Sequence, residues 1–275
     1  MSKSKQKMRR WVIKAGSQMI CSGGPLLLRS WMTQVAHLRR NYNIEILWVT
    51  SGAIAAAVER ANLQTNLSTT LAKSKKHRKL SEKQALSAIG QPLIMDLYNL
   101  SLNAAGLLGA QVLLTAGDMH DPTRRKNLLS TLNKLLEWKV VPIINENDAV
   151  ATEEIQFGDN DSLSSQIAKM VKAEKLILLT DVDGLYSEDP RKNPSAHLIR
   201  YRPQITETDV KLAGKGQDTS HGTGGMYSKL LAARTAGKSK IVTHLLRGDI
   251  PHNLISLAEG VQLGTQIGGR FDAPK

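Results

Sequence analysis

A chain of 275 residues with 41% apolar side chains is long enough to bury a substantial core, and its single cysteine, Cys21, excludes an intramolecular disulfide. A formal charge of +13 favours anionic partners such as nucleotide phosphates or nucleic acid, while no stretch reaches the ~20 apolar residues needed to span a bilayer. Two Phe, five Tyr and four Trp make no array of platforms for stacking single-stranded bases.

The basic start, Met1–Arg10, leads into Trp11-Val12-Ile13, but Lys14 and Gly16 follow at once, so no signal-peptide apolar region develops. A soluble, unprocessed, cytoplasmic chain is expected. The first strand, Trp11–Lys14, delivers a lysine at its end and turns on Gly16, where an ammonium can reach phosphate oxygens. Taken alone, such a lysine is more often simply exposed. A helix over Leu26–Arg40 precedes a second strand, Ile44–Thr50, which runs through Ser51-Gly52 into a helix over Ala53–Asn62. Free N–H groups at that helix start, with the Ser51 hydroxyl, suit an anion. An ordinary cap explains one Ser, and the small Ala53, Ala55 and Ala56 would permit close packing against the sheet.

Ala61–Leu80 is polar, lacks a clear period and carries Lys73, Lys75, Lys76, His77, Arg78 and Lys79, so it reads as a mobile, solvated excursion from the domain. Helices over Glu82–Ala105 and Thr123–Trp138 flank a strand at Gln111–Thr115 and lead to the strand Val140–Ile144. Four hydrogen-bonding side chains follow it, Asn145, Glu146, Asn147 and Asp148, and Gly158-Asp159-Asn160-Asp161 precedes a helix over Ser162–Val171. Turn chemistry accounts for Asn and Asp singly, and Asp161 reads equally as an N-cap. Two such clusters ten residues apart suit an amino-acid ammonium, whose three N–H groups need oxygen acceptors.

The strand Leu176–Thr180 ends on Thr180-Asp181, and Gly222-Thr223-Gly224-Gly225-Met226-Tyr227-Ser228-Lys229 is a glycine-rich turn into a helix over Met226–Ala236, a phosphate cradle that is neither a Walker A loop nor a dinucleotide fingerprint. A last strand is placed at Lys240–His244. Short β-branched runs alternating with helical patterns predict an α/β fold, a three-layer αβα sandwich with a mostly parallel central sheet. The near-continuous apolar runs Val140–Ile144 and Leu176–Leu179 require cover on both faces. Ligands should then collect beyond the carboxyl ends of the strands, where every cluster above falls.

Taken in order, Thr-Ser-Gly-Ala-Ile-Ala-Ala, Ile-Asn-Glu-Asn-Asp-Ala-Val, Gly-Asp-Asn-Asp-x-Leu-Ser, Leu-Thr-Asp-x-x-Gly-Leu-Tyr and Gly-Thr-Gly-Gly-Met-x-x-Lys resemble the glutamate 5-kinases of the amino acid kinase family, over about Trp11 to Ile267. The resemblance implies ATP-dependent phosphorylation of the γ-carboxylate of L-glutamate, the first step of proline biosynthesis, in a single domain 1–275 with a glutamate-binding part at about 11–170 and a nucleotide-binding part at about 171–267. It implies that Lys14 and Lys229 stabilise charge on the transferred group while Asp161 orients them. Ser51, Gly52, Asn145, Asn147, Asp148 and Asn160 would bind glutamate. Lys14, Thr180, Asp181, Thr223, Gly224, Gly225, Met226, Tyr227, Ser228 and Lys229 would hold ATP with Mg²⁺. Proline as feedback inhibitor, glutamate-5-semialdehyde dehydrogenase as pathway partner, a homo-oligomer and no membrane association are implied in the same way.

Departures from the family pattern are Ala15 and Ser17 after the first strand, Ala57 where Gly is frequent, Ser228 for Thr, and no Arg before Ala116 in Leu113–Asp118. Ala61–Leu80 is longer and more basic than is usual beside the glutamate and proline region, and no C-terminal PUA domain follows by Lys275. The competing readings are another member of the fold, such as an acetylglutamate kinase, or a degenerate kinase acting as a basic RNA-binding protein. The Asn-Glu-Asn-Asp and Gly-Asp-Asn-Asp pair favours glutamate, and a scaffold has no need of Lys14, Asp161 and Lys229.

Overall fold

The computed structural model describes residues 9–62, 78–151, 159–214 and 225–271. In chain order the elements are β1 (Arg9–Ala15), α1 (Ser17–Tyr42), β2 (Ile44–Val49), α2 (Ala53–Asn62), α3 (Leu80–Ala104), β3 (Gly109–Leu114), α4 (Ala116–His120), α5 (Pro122–Glu137), β4 (Val141–Glu146), α6 (Asn160–Met170), β5 (Lys175–Thr180), β6 (Leu185–Tyr186), β7 (Leu198–Ile199), β8 (Tyr201–Arg202), α7 (Glu207–Gly214), α8 (Met226–Gly237), β9 (Val242–Arg247), α9 (Asn253–Ala258) and β10 (Thr265–Ile267). Eight strands form one sheet in the order β3-β4-β2-β1-β5-β9-β10-β8. All neighbours are parallel except β9 and β10.

The period-2 alternation of strand side chains splits the core into two layers. Val12, Leu47, Val49, Ile144, Leu176, Leu178 and Leu245 face one layer, shared with α5, α6 and α8. Trp11, Ile13, Ile46, Trp48, Ile143, Ile177, Leu179 and Leu246 face the other, shared with α1, α3 and α9. Helices therefore cover both faces, and the αβα expectation holds. The central strands β1, β2 and β5 are apolar on successive residues because neither face meets water.

Several boundaries differ from expectation for local reasons. The expected helix from Leu26 is preceded by a further helical segment from Ser17, and α1 spans both: Gly24, at φ 54° and ψ −156°, breaks helical geometry between them, with Gly23 and Pro25 beside it. The last parallel strand starts at Val242 because Lys240 completes a turn at φ 60° after α8. Asp159, rather than Asp161, is the N-cap of α6, its carboxylate accepting the Ser162 N–H at 2.8 Å. Most of Ala61–Leu80, including Lys73, Lys75, Lys76 and His77, lies outside the described residues, although Leu80 already belongs to α3.

The alanine-rich start of α2 serves a different contact from the one expected. Ala53 and Ala57 are buried against α3 rather than the sheet, and a Cβ added at Gly90 would lie 1.7 Å from the main-chain oxygen of Ala53 and 3.1 Å from the nitrogen of Ala57. The two helices touch backbone to backbone, which only glycine permits at that height. Gly90→Ala should therefore lower the urea midpoint by an amount equivalent to about 2 kcal/mol or more, the cost of overpacking against immobile backbone. Gly237→Ala, where an added Cβ meets nothing within 4 Å, should leave the midpoint unchanged or slightly raised.

Candidate active site

Three elements converge beyond the carboxyl ends of the central strands. Lys14 occupies the penultimate position of β1, Asp161 the first turn of α6 and Lys229 the first turn of α8. Lys14 Nζ lies 2.6 Å from Asp161 Oδ1 and Lys229 Nζ 3.2 Å from Asp161 Oδ2, while the Ser228 hydroxyl donates to Oδ2 at 2.7 Å. All three ionisable groups are buried, Asp161 completely. The three residues expected to act together are one cluster.

The electrostatics follow from burial and partners. Burial alone pushes the Asp161 carboxyl up, but Lys14, Lys229 and the hydrogen bonds from Lys14 and Ser228 outweigh it and hold the group well below the usual carboxylate range. Asp161 is therefore ionised and unsuited to accept a proton. Burial pulls the Lys14 ammonium down from its ordinary value, against the attraction of Asp161. One carboxylate between two ammonium groups leaves the triad itself a net positive charge, with the half-buried Asp159 carboxylate acting on Lys14 as a further counter-charge.

A second cluster shares the same helix start. The Asn160 Nδ2 lies 2.6 Å from the Thr50 main-chain oxygen, 2.8 Å from Ser51 Oγ and 2.7 Å from Asn145 Oδ1, and Asn145 Nδ2 donates to Gln91 Oε1 at 2.7 Å. Ser51 precedes Gly52, whose φ of 103° turns β2 into α2. Asp148 stands on the same side of β4's end and accepts from Ser87 Oγ at 3.3 Å; burial raises its carboxyl above the ordinary value, only partly opposed by that bond. Such a carboxylate gains from a cationic ligand. Asn147, with Ser87, Gln91 and Glu146, lines a cavity of about 220 Å³.

On the other side of β1, Thr180 ends β5 and receives the Gly248 N–H on its carbonyl at 2.9 Å, and its hydroxyl donates to the exposed Asp181 at 3.2 Å. Gly225 caps α8, and Met226 and Tyr227 are packed against the core, so their side chains do not join the lysine cluster. Thr223, Gly224 and Gly158 lie outside the described residues. Gln91, Ser87 and Tyr98 were not among the expected site residues. Their signal was available: Leu86, Ser87, Gly90, Gln91, Ile94, Met95 and Tyr98 form the buried stripe of α3, and a polar side chain on such a stripe needs a partner.

Among the described residues, no group of three His, Cys, Asp or Glu side chains could hold a metal ion, and no helix is long and apolar enough to cross a membrane. The model of the amino acid kinase family matches residues 9–247. The chain is 43% identical over 265 residues to a glutamate 5-kinase of Thermus thermophilus, covering 95% of this chain and 68% of that protein, and 41% identical over 262 residues to a glutamate 5-kinase of Chromobacterium violaceum, covering 94% and 67%. Among solved structures it is similar to the isopentenyl phosphate kinase of T. acidophilum, with a TM-score of 0.61 at 15% identity over 94% of this chain and 99% of that one. The uridylate kinase of Archaeoglobus fulgidus gives a TM-score of 0.60 at 19% identity, with the same coverage.

Replacing Asp161 by Asn would leave two buried ammonium groups without their counter-charge. Chemical denaturation at neutral pH should show Asp161→Asn destabilised by about 3 kcal/mol or more. Because the folded-state carboxyl lies below its unfolded value, the wild-type advantage should be complete above the ordinary carboxylate range and should shrink as pH falls through the depressed value.

Proposed function

The chain belongs to the amino acid kinase family, among its glutamate 5-kinases, and from that premise we propose that the Lys14–Asp161–Lys229 cluster performs the phosphoryl transfer and the Ser51–Asn145–Asn160 cluster with Asp148 holds the amino acid. The reaction is the transfer of the γ-phosphoryl group of ATP to the γ-carboxylate of L-glutamate, giving γ-glutamyl phosphate, the first step of proline biosynthesis. One observation carries the assignment of roles: both lysines share a single buried carboxylate at the carboxyl ends of the strands, beside an amide-rich cluster on the same helix turn.

The chemistry needs no general base, since a γ-carboxylate with a pKa of about 4.3 is already ionised at neutral pH. The difficulty is bringing one anion to another. Alignment and charge neutralisation are what a protein contributes to phosphoryl transfer, and preorganised ammonium groups contribute both without reorganising during reaction. Asp161 spends one N–H of each lysine to fix its direction. Ser228 holds Asp161 from the third side, so its hydroxyl retains the function of the more usual threonine. Thr180, Asp181 and the segment from Thr223 to Lys229 form the nucleotide side, in the part 171–267, and the part 11–170 forms the glutamate side.

Mg²⁺ fits this site as a partner of the nucleotide: Asp161 is committed to the lysines, and the ion is usually held by substrate phosphates and water with few protein carboxylates. When bound it neutralises phosphate charge alongside the two lysines. The half-buried Asp148 accepts an ammonium, and the amide oxygens near Ser51 complete an amino-acid site. Proline as inhibitor, a homo-oligomer and a pathway dehydrogenase as partner are further proposals of this reading, as is a cytoplasmic location.

With ATP, glutamate and hydroxylamine as trap for the acyl phosphate, Lys14→Ala and Lys229→Ala should each lower kcat about a hundredfold with a much smaller change in glutamate KM. Near-normal turnover in either variant would remove that lysine from the catalytic pair. Asp148→Asn should instead raise glutamate KM while leaving the ATP KM near its wild-type value. The opposite pattern would exchange the two subsites.

A further inference from the structure

Helices cover both faces of the sheet, so a polar side chain on an inner face is costly unless something meets it. One row of such side chains crosses three neighbouring strands. Ile177, Leu179 and Leu246 face the layer shared with α1, α3 and α9, and strand alternation puts Lys175, two residues before Ile177, and His244, two before Leu246, on that same face. Gln266 of β10 stands opposite His244 in register and shares the face. Lys14, two residues after Val12, faces the other layer, so the sheet itself separates this row from the candidate active site.

Lys175, His244 and Gln266 line a cavity of about 130 Å³ with Gln262 and Arg270, and among the described residues that line it none is acidic. Lys175 Nζ lies 3.3 Å from His244 Nε2. An ammonium only donates, so that ring nitrogen accepts; burial and then the Lys175 charge pull the imidazole down to about 3, which keeps it neutral. The carboxylate that acts on Lys175, Glu174, is already held by Arg9 through hydrogen bonds of 2.7 and 3.0 Å. A partly buried ammonium thus rests on an uncharged ring where a carboxylate is the usual partner, and Arg270 adds a second cation at the exposed rim. Gln266 spends its nitrogen on the carbonyls of Gly268 and Arg270, at 3.0 Å each, so what it can offer a ligand is its oxygen.

We infer that this cavity is a second, non-catalytic anion site that takes a small oxyanion of the phosphate class. The cavity falls below the roughly 300 Å³ of ordinary small-molecule sites, so it admits a small ion and not a nucleotide. A hydrogen phosphate has oxygens to accept from Lys175 and Arg270 and an O–H to give to an amide oxygen, a combination that a simple carboxylate lacks. Calorimetry on the full chain, with a non-hydrolysable ATP analogue, Mg²⁺ and glutamate saturating the candidate active site, should show one inorganic phosphate bound per chain at constant ionic strength. The melting temperature should rise with phosphate and not with chloride. Lys175→Gln keeps an N–H for His244 and loses the charge, and it should raise the phosphate Kd at least tenfold, the effect of losing a hydrogen bond to a charged group. Arg270→Gln changes only the exposed rim and should weaken phosphate in the same direction, which provides a second test should the first variant fold poorly. A phosphate Kd unchanged in both variants would overturn the inference, as would a melting-temperature rise that chloride reproduces, the mark of general screening. Phosphate that binds only without the nucleotide, and is lost in Lys14→Ala but not in Lys175→Gln, would place the anion in the active site; that result would overturn this second site while supporting the kinase reading.

Discussion

Two ammonium groups can stay buried side by side only if a carboxylate stands between them, and the site is organised around that requirement. Lys14, Asp161 and Lys229 come from β1, α6 and α8, elements far apart in sequence that meet at one end of the sheet. Removing charge from water is expensive, so such a triad is poor evidence for stability in itself. Its use lies in readiness. Side chains already desolvated and oriented do not have to reorganise when charge develops on the transferred group.

The same constraint couples the two halves of the site. Asn160 and Asp161 are consecutive in the first turn of α6, so one helix start, capped by Asp159, positions the amide that bonds Thr50, Ser51 and Asn145 together with the carboxylate that pairs the lysines. A small rotation of α6 would disturb both. Close backbone approach supports the arrangement, since Gly52 supplies the left-handed turn after β2 and Gly90 lets α3 bear directly on α2. In the proposed reading, substrate alignment and charge neutralisation are thus not independent properties of separate loops.

Much of this was readable in the sequence where the physics is local. Strands β1, β4 and β5 announce themselves because cover on both faces forces continuous apolar runs, and the clusters at their ends contain more polar groups than turns require. Lys14, Asn160, Asp161 and Lys229 were named from such clusters and from family resemblance. Other features depend on distant residues and leave little local trace. The helical segment Ser17–Gly23 was hidden by the glycines and proline after it, strands of two or three residues such as β6, β8 and β10 are too short to show a period, and Gln91 looks like an ordinary helix residue until the stripe containing it is seen to be buried. The alanines of α2 were correctly taken as a close-packing surface but given the wrong partner, because composition tells how near a neighbour comes and not which neighbour it is.

The aromatic residues explain how a site built from loop ends remains in place. Trp31 and Trp48 lie with ring centroids 5.4 Å apart, and Trp48 meets Tyr98 edge-on at 6.3 Å, filling the layer between α1, α3 and the sheet. Each also reaches toward the site through a polar atom. Trp31 Nε1 donates to the Gly248 carbonyl at 2.8 Å, and Gly248 in turn donates to Thr180 at the end of β5. The Tyr98 hydroxyl accepts from Trp48 Nε1 at 2.7 Å and from Thr50 Oγ1 at 2.9 Å, and burial pushes its phenol up, so it remains neutral. Thr50 carries the carbonyl that receives the Asn160 side-chain N–H. A large ring loses little conformational freedom on burial compared with a long flexible side chain, so anchoring the backbone of Thr50 and Gly248 to the core is entropically cheap. The scarcity of aromatic residues, which argued against a base-stacking surface, is consistent with their placement here: Trp31, Trp48 and Tyr98 tie the ends of β2 and β5, on either side of β1, to the core.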